Sequence, residues 1–143
     1  MAAQLELDET LLRRLPKVVL HEHLDGSCRP ATLIELAEAQ GYDELPTTDA
    51  AALGDWFFEG ADRGSLPLYL EGFRHTVGLL QTEAALERVA FEYLEDSHRD
   101  GVVYSEVRFA PHLHTFGGLG LDAVMHAVLR GLHRAAESFD TGF

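Results

Sequence analysis

The sequence is short of cysteine and of basic residues, and each shortage excludes a class of protein. Cys28 is the only cysteine among 143 residues, so no intrachain disulfide and no all-thiolate metal cage can form, and a reducing compartment is the simpler expectation. The chain has 11 Lys and Arg against 24 Asp and Glu, a formal net charge of -13. Because this charge repels phosphate backbones and anionic lipids, we expect no nucleic-acid partner and no membrane partner.

The sequence also has little that resembles a targeting or membrane-spanning segment. Its first residues place acidic side chains ahead of Arg13 and Arg14 and contain no long apolar run, which is the wrong order for a secretory signal. No later run approaches the apolar length that spans a bilayer. We therefore expect a cytoplasmic protein. A hydrophobic content of 46% and this chain length are ordinary for one globular domain.

Strand and helix patterns alternate along the chain. They predict strands at 17–24 and 102–109, and helices at 8–15, 30–40, 49–58, 66–80, 82–100 and 121–137. This order favours an α/β fold with a parallel sheet under helical cover, of the kind found in (β/α)8 barrels. A complete barrel needs roughly 250 residues, so the expectation is an incomplete barrel with a helical insertion between its first two strands. The last helix is predicted to be buried through one set of apolar side chains: Leu121, Val124, Met125, Val128, Leu129 and Leu132.

Two histidines on the first predicted strand are the main candidates for chemistry. His21 and His23 are two residues apart, so on a strand they share one face and can converge on a metal ion. The alternative is a pair of hydrogen-bonded core imidazoles. Two known types of zinc site are excluded. A helical H-E-x-x-H metalloprotease motif needs histidine at position 25, where this chain has Asp25. A cytidine-deaminase zinc site needs a pair of cysteines, and this chain has one. Because catalytic zinc normally takes three protein ligands, the pair is half of a site.

The other candidate residues have plausible structural roles. Asp25 follows the histidine pair, where its carboxylate can face a pocket or simply form a turn. His112 and His114 form a second H-x-H, but after a strand, and are weak candidates for ligands. The remaining histidines are expected on solvated surface or in structural positions: His75, His98, His126 and His133. The insertion is rich in apolar side chains that either pack in the core or line a pocket for a flat ligand: Trp56, Phe57, Phe58, Leu66, Tyr69 and Phe73.

Several segments taken together resemble the N-terminal part of adenosine deaminases, in the metal-dependent hydrolase superfamily of (β/α)8 barrels. They are residues 17–26, Arg29-Pro30, Ser65-Leu66-Pro67 with Phe73, and residues 101–113. The resemblance implies that residues 1–143 are the N-terminal fragment of a single barrel domain.

The resemblance assigns roles to individual residues. It implies that His21 and His23 are two ligands of one Zn2+ ion and that Asp25 binds the ribose of a purine nucleoside. Related adenine deaminases typically carry glutamate at the position of Asp25, which favours a nucleoside over the free base. The apolar lid over the substrate would include Leu66, Tyr69 and Phe73.

The implied reaction is zinc-dependent hydrolytic deamination of adenosine or deoxyadenosine to inosine or deoxyinosine and ammonia. In the family, the remaining ligands and catalytic residues lie in H-A-G-E and S-L-N-T-D-D segments, which this sequence does not contain. We therefore expect no catalytic residue within the chain, no activity from it alone, and an oligomeric state that the sequence leaves open. The alternatives are a non-catalytic fragment that needs a partner chain to complete the barrel, or a related deaminase acting on adenine or a modified purine nucleoside.

Overall fold

The structure is a computed structural model that describes residues 8–143. Its strands are β1 (Lys17–His23) and β2 (Val102–Arg108). Its helices are α1 (Glu9–Arg14), α2 (Pro30–Gln40), α3 (Ala50–Ala61), α4 (Leu66–Tyr69), α5 (Glu71–Leu79), α6 (Glu83–Arg99) and α7 (Leu121–Phe139), with 3-10 turns at Leu24–Gly26 and Pro111–His114. Residues 1–7, part of the segment judged to lack a secretory signal, lie outside the described residues.

The two strands pair in parallel, as the alternation of elements predicts. His23 at the end of β1 lies opposite Arg108 at the end of β2, so the carboxyl ends of both strands meet at one edge. At the far end of the chain, Gly142 forms a parallel bridge with Tyr104 and exchanges backbone hydrogen bonds with Val103 and Ser105. Both 3-10 turns therefore start at the edge where functional loops of parallel sheets lie.

Most of the core lies between the two longest helices. On α6, Leu86, Val89 and Leu94 are almost fully buried, and they belong to one apolar cluster with Val124 and Val128 of α7. The cluster extends to Leu24 and Leu80, so the turn after β1 is fixed to the same core. A second cluster joins the helices of the insertion: Leu33, Ala37, Leu53 and Leu79.

The predicted buried face of α7 is only partly correct. Val124, Val128 and Leu132 are buried, whereas Leu121, Met125 and Leu129 are 54%, 38% and 37% exposed. The exposed three repeat at a spacing of four residues, which puts them on a stripe beside the one that meets α6. The periodicity of apolar residues predicted that both stripes are buried, because it does not show which of them faces α6.

The insertion also differs in detail from the prediction. The single helix expected over 66–80 is divided into α4 and α5 at Leu70, whose φ of -71° and ψ of -11° are tighter than those of an α-helix. The other helix ends follow their sequence signals: Asp49 and Thr82 accept N-cap hydrogen bonds, and Gly41 ends α2. Among the described helices, none is both long enough and apolar enough to cross a bilayer.

Candidate functional site

The site begins with the histidine pair on β1. His21 and His23 lie on one face of the strand, as their spacing predicts, and their Nε2 atoms are 3.2 Å apart. Their rings are 5.2 Å apart between centroids and inclined at 34°. Both residues are exposed, and the side chain of His23 is 51% exposed. They are therefore not core imidazoles, although the 3.2 Å separation also allows a hydrogen bond between the two rings.

The geometry of this pair suits two ligands of one metal ion. With Zn–N bonds of about 2.0–2.1 Å and tetrahedral angles, two ligand nitrogens are roughly 3.3 Å apart, close to the observed 3.2 Å. Within residues 8–143, however, no group of three or more His, Cys, Asp or Glu side chains is placed to hold a metal ion. The described residues would therefore supply two of the ligands that a catalytic zinc ion needs, and the assignment of His21 and His23 as ligands stays a prediction.

Asp25 is carried by the turn that follows β1. Leu24 is 1% exposed and packs in the main core, so the backbone beside Asp25 has little freedom. Asp25 itself is 5% exposed, its Oδ1 has no hydrogen-bond partner, and this oxygen is 3.9 Å from Nδ1 of His23. An unpaired buried polar atom costs about 1–3 kcal/mol, and an ionised carboxylate oxygen costs more. A side chain with these properties is suited to accept a hydrogen bond from a ligand.

An apolar cavity of about 300 Å³ extends from Asp25 into the insertion. Its walls are aromatic: Trp56, Phe57 and Phe58 from α3 on one side, Tyr69 and Phe73 on the other. This volume lies at the lower end of the range for small-molecule sites, which are typically apolar with a few polar groups. Asp25 supplies such a polar group at the buried end.

The predicted lid residues do not all reach this cavity. Phe73 closes over the turn after β1, because a side chain at Gly26 would place its Cβ 3.3 Å from the Phe73 ring. Tyr69 lies against Phe73, with 5.5 Å between ring centroids. Leu66 is 68% exposed and is not among the residues that line the cavity, so its predicted contact with substrate stays a prediction.

The second histidine pair separates in the structure. His112 lies toward the surface, whereas His114 is fully buried and its Nδ1 is 3.0 Å from the carbonyl oxygen of Leu80. Burial lowers the pKa of His114, although the carboxylate of Asp25 acts in the opposite direction. Its Nε2 has no partner; of the described side chains, only this atom and Oδ1 of Asp25 are buried polar atoms without a hydrogen bond.

The remaining histidines occupy structural or surface positions, as expected. His75 is buried and its Nδ1 is 2.9 Å from the Tyr42 hydroxyl, and His98 stacks on Phe139. His126 and His133 of α7 are exposed. Sequence reasoning did not anticipate the buried state of His114, because a histidine in a turn after proline carries no periodic signal of burial.

Cys28 borders the cavity but is not a reactive thiol. Burial, with smaller contributions from the charges of Asp25 and Glu92, raises the pKa of Cys28 to about 12. Its sulfur lies near the backbone carbonyl oxygens of Leu24 and Asp25, at 3.9 and 4.0 Å. Nucleophilic chemistry requires the thiolate, which burial disfavours at this position.

Comparisons with known proteins identify the family of the chain. A family model described as adenosine deaminase matches residues 16–143. An adenosine deaminase from Mycobacteroides abscessus is 56% identical over 126 residues, which are 88% of this chain and 35% of that protein. Among solved structures, an amidohydrolase from Burkholderia ambifaria with bound zinc has a TM-score of 0.79 at 27% identity, covering 99% of this chain and 38% of its own. An Arabidopsis N6-mAMP deaminase has a TM-score of 0.70 at 30% identity, covering 90% and 37%.

These matches show the family of the chain and how much of its relatives' length the chain spans. The chain spans about a third of the length of the curated relatives that it matches, 35% and 33% for the first two. Because the family model covers nearly all of the described residues, the resemblance seen in the sequence is confirmed. The chain belongs to the adenosine deaminase family.

Proposed function

We propose that this chain supplies two zinc ligands and the nucleoside anchor of a hydrolytic adenosine deaminase. The observation that carries the proposal is the pair of Nε2 atoms of His21 and His23, 3.2 Å apart beside a cavity that reaches Asp25. In the complete reaction, water and adenosine or deoxyadenosine give ammonia and inosine or deoxyinosine. Residues 1–143 would form the N-terminal fragment of one (β/α)8 barrel domain, and the activity would belong to the complete barrel.

The histidine pair holds and orients the metal in this proposal. A bound zinc ion lowers the pKa of water toward neutrality and so supplies a nucleophile. Each imidazole presents Nε2 to the same point, which leaves Nδ1 to carry the ring proton. Nδ1 of His23 is 3.9 Å from Oδ1 of Asp25, which is too long for a hydrogen bond, so this oxygen is free to accept one from a ligand.

Asp25 sets the class of substrate. Its buried carboxylate lacks a hydrogen-bond partner on Oδ1 and has no Lys or Arg nitrogen within 4 Å. A ribose hydroxyl that donates to this carboxylate relieves its desolvation, whereas a phosphate group beside it adds a second anion. The aromatic walls offer faces on which a purine can stack. We therefore infer a preference for nucleosides over nucleotides.

A hybrid enzyme tests the proposal directly. Residues 16–143 of this chain replace the matching segment of the Mycobacteroides abscessus adenosine deaminase, which is 56% identical. We expect about one zinc ion per hybrid and a fall in ultraviolet absorbance as adenosine becomes inosine. His21→Ala and His23→Ala should each abolish activity and reduce zinc content, while His126→Ala on exposed α7 should change neither. Full activity in the His21→Ala hybrid would exclude a role for this pair.

The same hybrid separates the possible substrates. Adenosine, deoxyadenosine, adenine and N6-methyl-AMP are compared as competing substrates by kcat/KM. We expect Asp25→Asn to raise KM for adenosine by roughly tenfold, the loss of one charge-assisted hydrogen bond. Activity that is greatest on adenine and unaffected by Asp25→Asn would instead assign the chain to base deamination.

A second candidate function is a non-catalytic fragment that completes a barrel with a partner chain. It is favoured by the uncovered apolar side chains of the sheet, where Val18, Leu20 and Val103 are 55%, 60% and 50% exposed. Unpaired strand edges and apolar faces of this kind promote association. Co-expression with the remaining segment of the same relative decides the matter: a stable heterodimer of the two pieces supports this candidate, and separate elution of the pieces excludes it.

A further inference from the structure

An ion pair joins the two walls of the cavity on its exposed side. Nη1 of Arg63 lies 3.0 Å from Oε2 of Glu71. Arg63 follows the end of α3, and Glu71 is in the first turn of α5, where the positive end of the helix dipole favours a carboxylate. Both residues line the cavity whose buried end is Asp25. The pair therefore links the end of α3 to the start of α5 within the lining of this cavity.

The same arginine also holds an aromatic side chain of the wall. The guanidinium carbon of Arg63 is 5.9 Å from the centre of the Trp56 ring, within the range of a cation–π interaction. The indole is held from a second side by His75 of α5, edge to face, with 5.4 Å between ring centroids. Trp56 is thus placed between a cation that Glu71 fixes and a buried histidine.

The helices that carry these groups come very close to each other. A side chain at Gly72 would place its Cβ 3.2 Å from the Phe57 ring, so glycine lets α5 approach the aromatic side chains of α3. Besides the ion pair, this approach is supported by these aromatic contacts and by Leu53 and Leu79, which pack in the second apolar cluster. The side chains of Arg63 and Glu71 are 35% and 54% exposed, so salt in the solvent can weaken the pair.

We propose that Arg63 and Glu71 form a latch that holds Trp56 in the wall of the cavity and so sets how tightly the cavity closes on its ligand. Arg63 and Glu71 are positioning residues, because they act through Trp56 and the two helices. The latch rests on the proposed function only in taking the ligand to be a purine nucleoside. With the latch open, the stacking face for the base is less well fixed, and affinity falls before turnover does.

Trp56 makes the latch directly measurable, because it is the only tryptophan in the chain. Quenching of its fluorescence by acrylamide, a neutral quencher, reports how far the indole is exposed. In the 143-residue chain, we expect Glu71→Gln to raise the quenching constant by roughly twofold. About 1 M sodium chloride should produce a similar rise in the parent chain and little further change in Glu71→Gln.

Two further variants separate the latch from general loosening of the fold. Glu83→Gln removes a comparable exposed partner of an arginine, 2.8 Å from Arg130 on another face, and should leave the quenching unchanged. The charge exchange of Arg63→Glu with Glu71→Arg restores the ion pair without the cation over the indole, and should recover part of the protection. The midpoint of urea unfolding should be similar in all of these variants.

The hybrid enzyme supplies the functional readout. There, Glu71→Gln should raise KM for adenosine by roughly two- to fivefold and change kcat by less than twofold. Unchanged quenching in Glu71→Gln, an equal change in Glu83→Gln, or an unchanged KM in an active hybrid would each overturn the latch. An inactive parent hybrid would instead count against the proposed function, while the quenching measurements would still decide whether Arg63 and Glu71 hold Trp56.

Discussion

Replacing Gly131 by alanine tests the packing on which the whole fragment depends. Gly131 lies on α7 where this helix crosses α6, and a methyl group there would be 2.2 Å from the backbone oxygen of Glu87 and 2.8 Å from Cβ of Ala90. Since a normal carbon to oxygen contact is about 3.3 Å, the two helices must move apart by about 1 Å. Neither the backbone oxygen nor the Cβ can avoid the methyl group by a change of rotamer.

The sign of the effect separates packing from helix propensity. Propensity alone predicts that Gly131→Ala stabilises the helix by about 1 kcal/mol, whereas overpacking costs about 1–3 kcal/mol or more. We expect packing to dominate and to lower the free energy of unfolding by about 2 kcal/mol, which is the upper end of the overpacking cost less the propensity gain. Urea unfolding of the 143-residue chain, followed by far-ultraviolet circular dichroism, measures this quantity by linear extrapolation.

Gly60 provides the matched control on another helix. It lies in the last turn of α3, and a methyl group there would meet no atom within 4 Å apart from its chain neighbours and its own helix backbone. Gly60→Ala should therefore show the propensity gain alone, about 0.5–1 kcal/mol of stabilisation. If Gly131→Ala is as stable as the parent chain or more so, the close contact between α6 and α7 is refuted.

Other expectations concern a thiol, an ion-pair network and two buried histidines. Burial raises the pKa of Cys28 from 9.0 to about 12. Because the thiolate is the reactive form, iodoacetamide at pH 8 should react about a thousandfold faster with the unfolded chain than with the native chain. Equal rates would contradict this expectation. Arg29 is bound by three carboxylates of α6, so Arg29→Ala should lower the free energy of unfolding by about 1–3 kcal/mol. Arg130 binds Glu83 and Glu87 at the surface, so Arg130→Ala should lower it by less than about 1 kcal/mol. Burial lowers the pKa of His75 and of His114, so as the pH drops through about 6.5 the unfolded chain binds protons first and stability falls. Replacing both histidines by glutamine should flatten this slope below about pH 7.

The local elements were predictable because their signals are local. Alternating side chains at 17–23 and the N-cap residues Asp49 and Thr82 act over a few residues, and the structure has β1, α3 and α6 where these signals lie. The exposed stripe of α7 was not predictable in this way. Whether Met125 is buried depends on which element packs beside it, and periodicity gives the apolar stripe without giving its neighbour.

The candidate site likewise contains features that local sequence signals predict and features that they do not. The convergence of His21 and His23 follows from the two-residue period of a strand, so spacing alone gave the correct face. The latch from Arg63 to Glu71 depends on the path of a loop between two helices, which has no periodic signal. The buried unpaired atoms of Asp25 and His114 were also not predictable, because they result from the neighbouring ends of two strands far apart in sequence.

The two parts of the proposed active site need different lengths of chain. The cavity is lined between Asp25 and Thr76, by one continuous part of the sequence that packs against its own apolar cluster. Metal ligands at the ends of barrel strands come instead from strands distributed around the whole barrel, and the proposal assigns two of them, His21 and His23, to residues 8–143. A chain of about a third of the length of its relatives can therefore form the aromatic walls of the cavity while most of the proposed metal site is missing. Recognition and metal binding should thus be separable in this chain, with the cavity around Trp56 formed even where zinc is bound weakly.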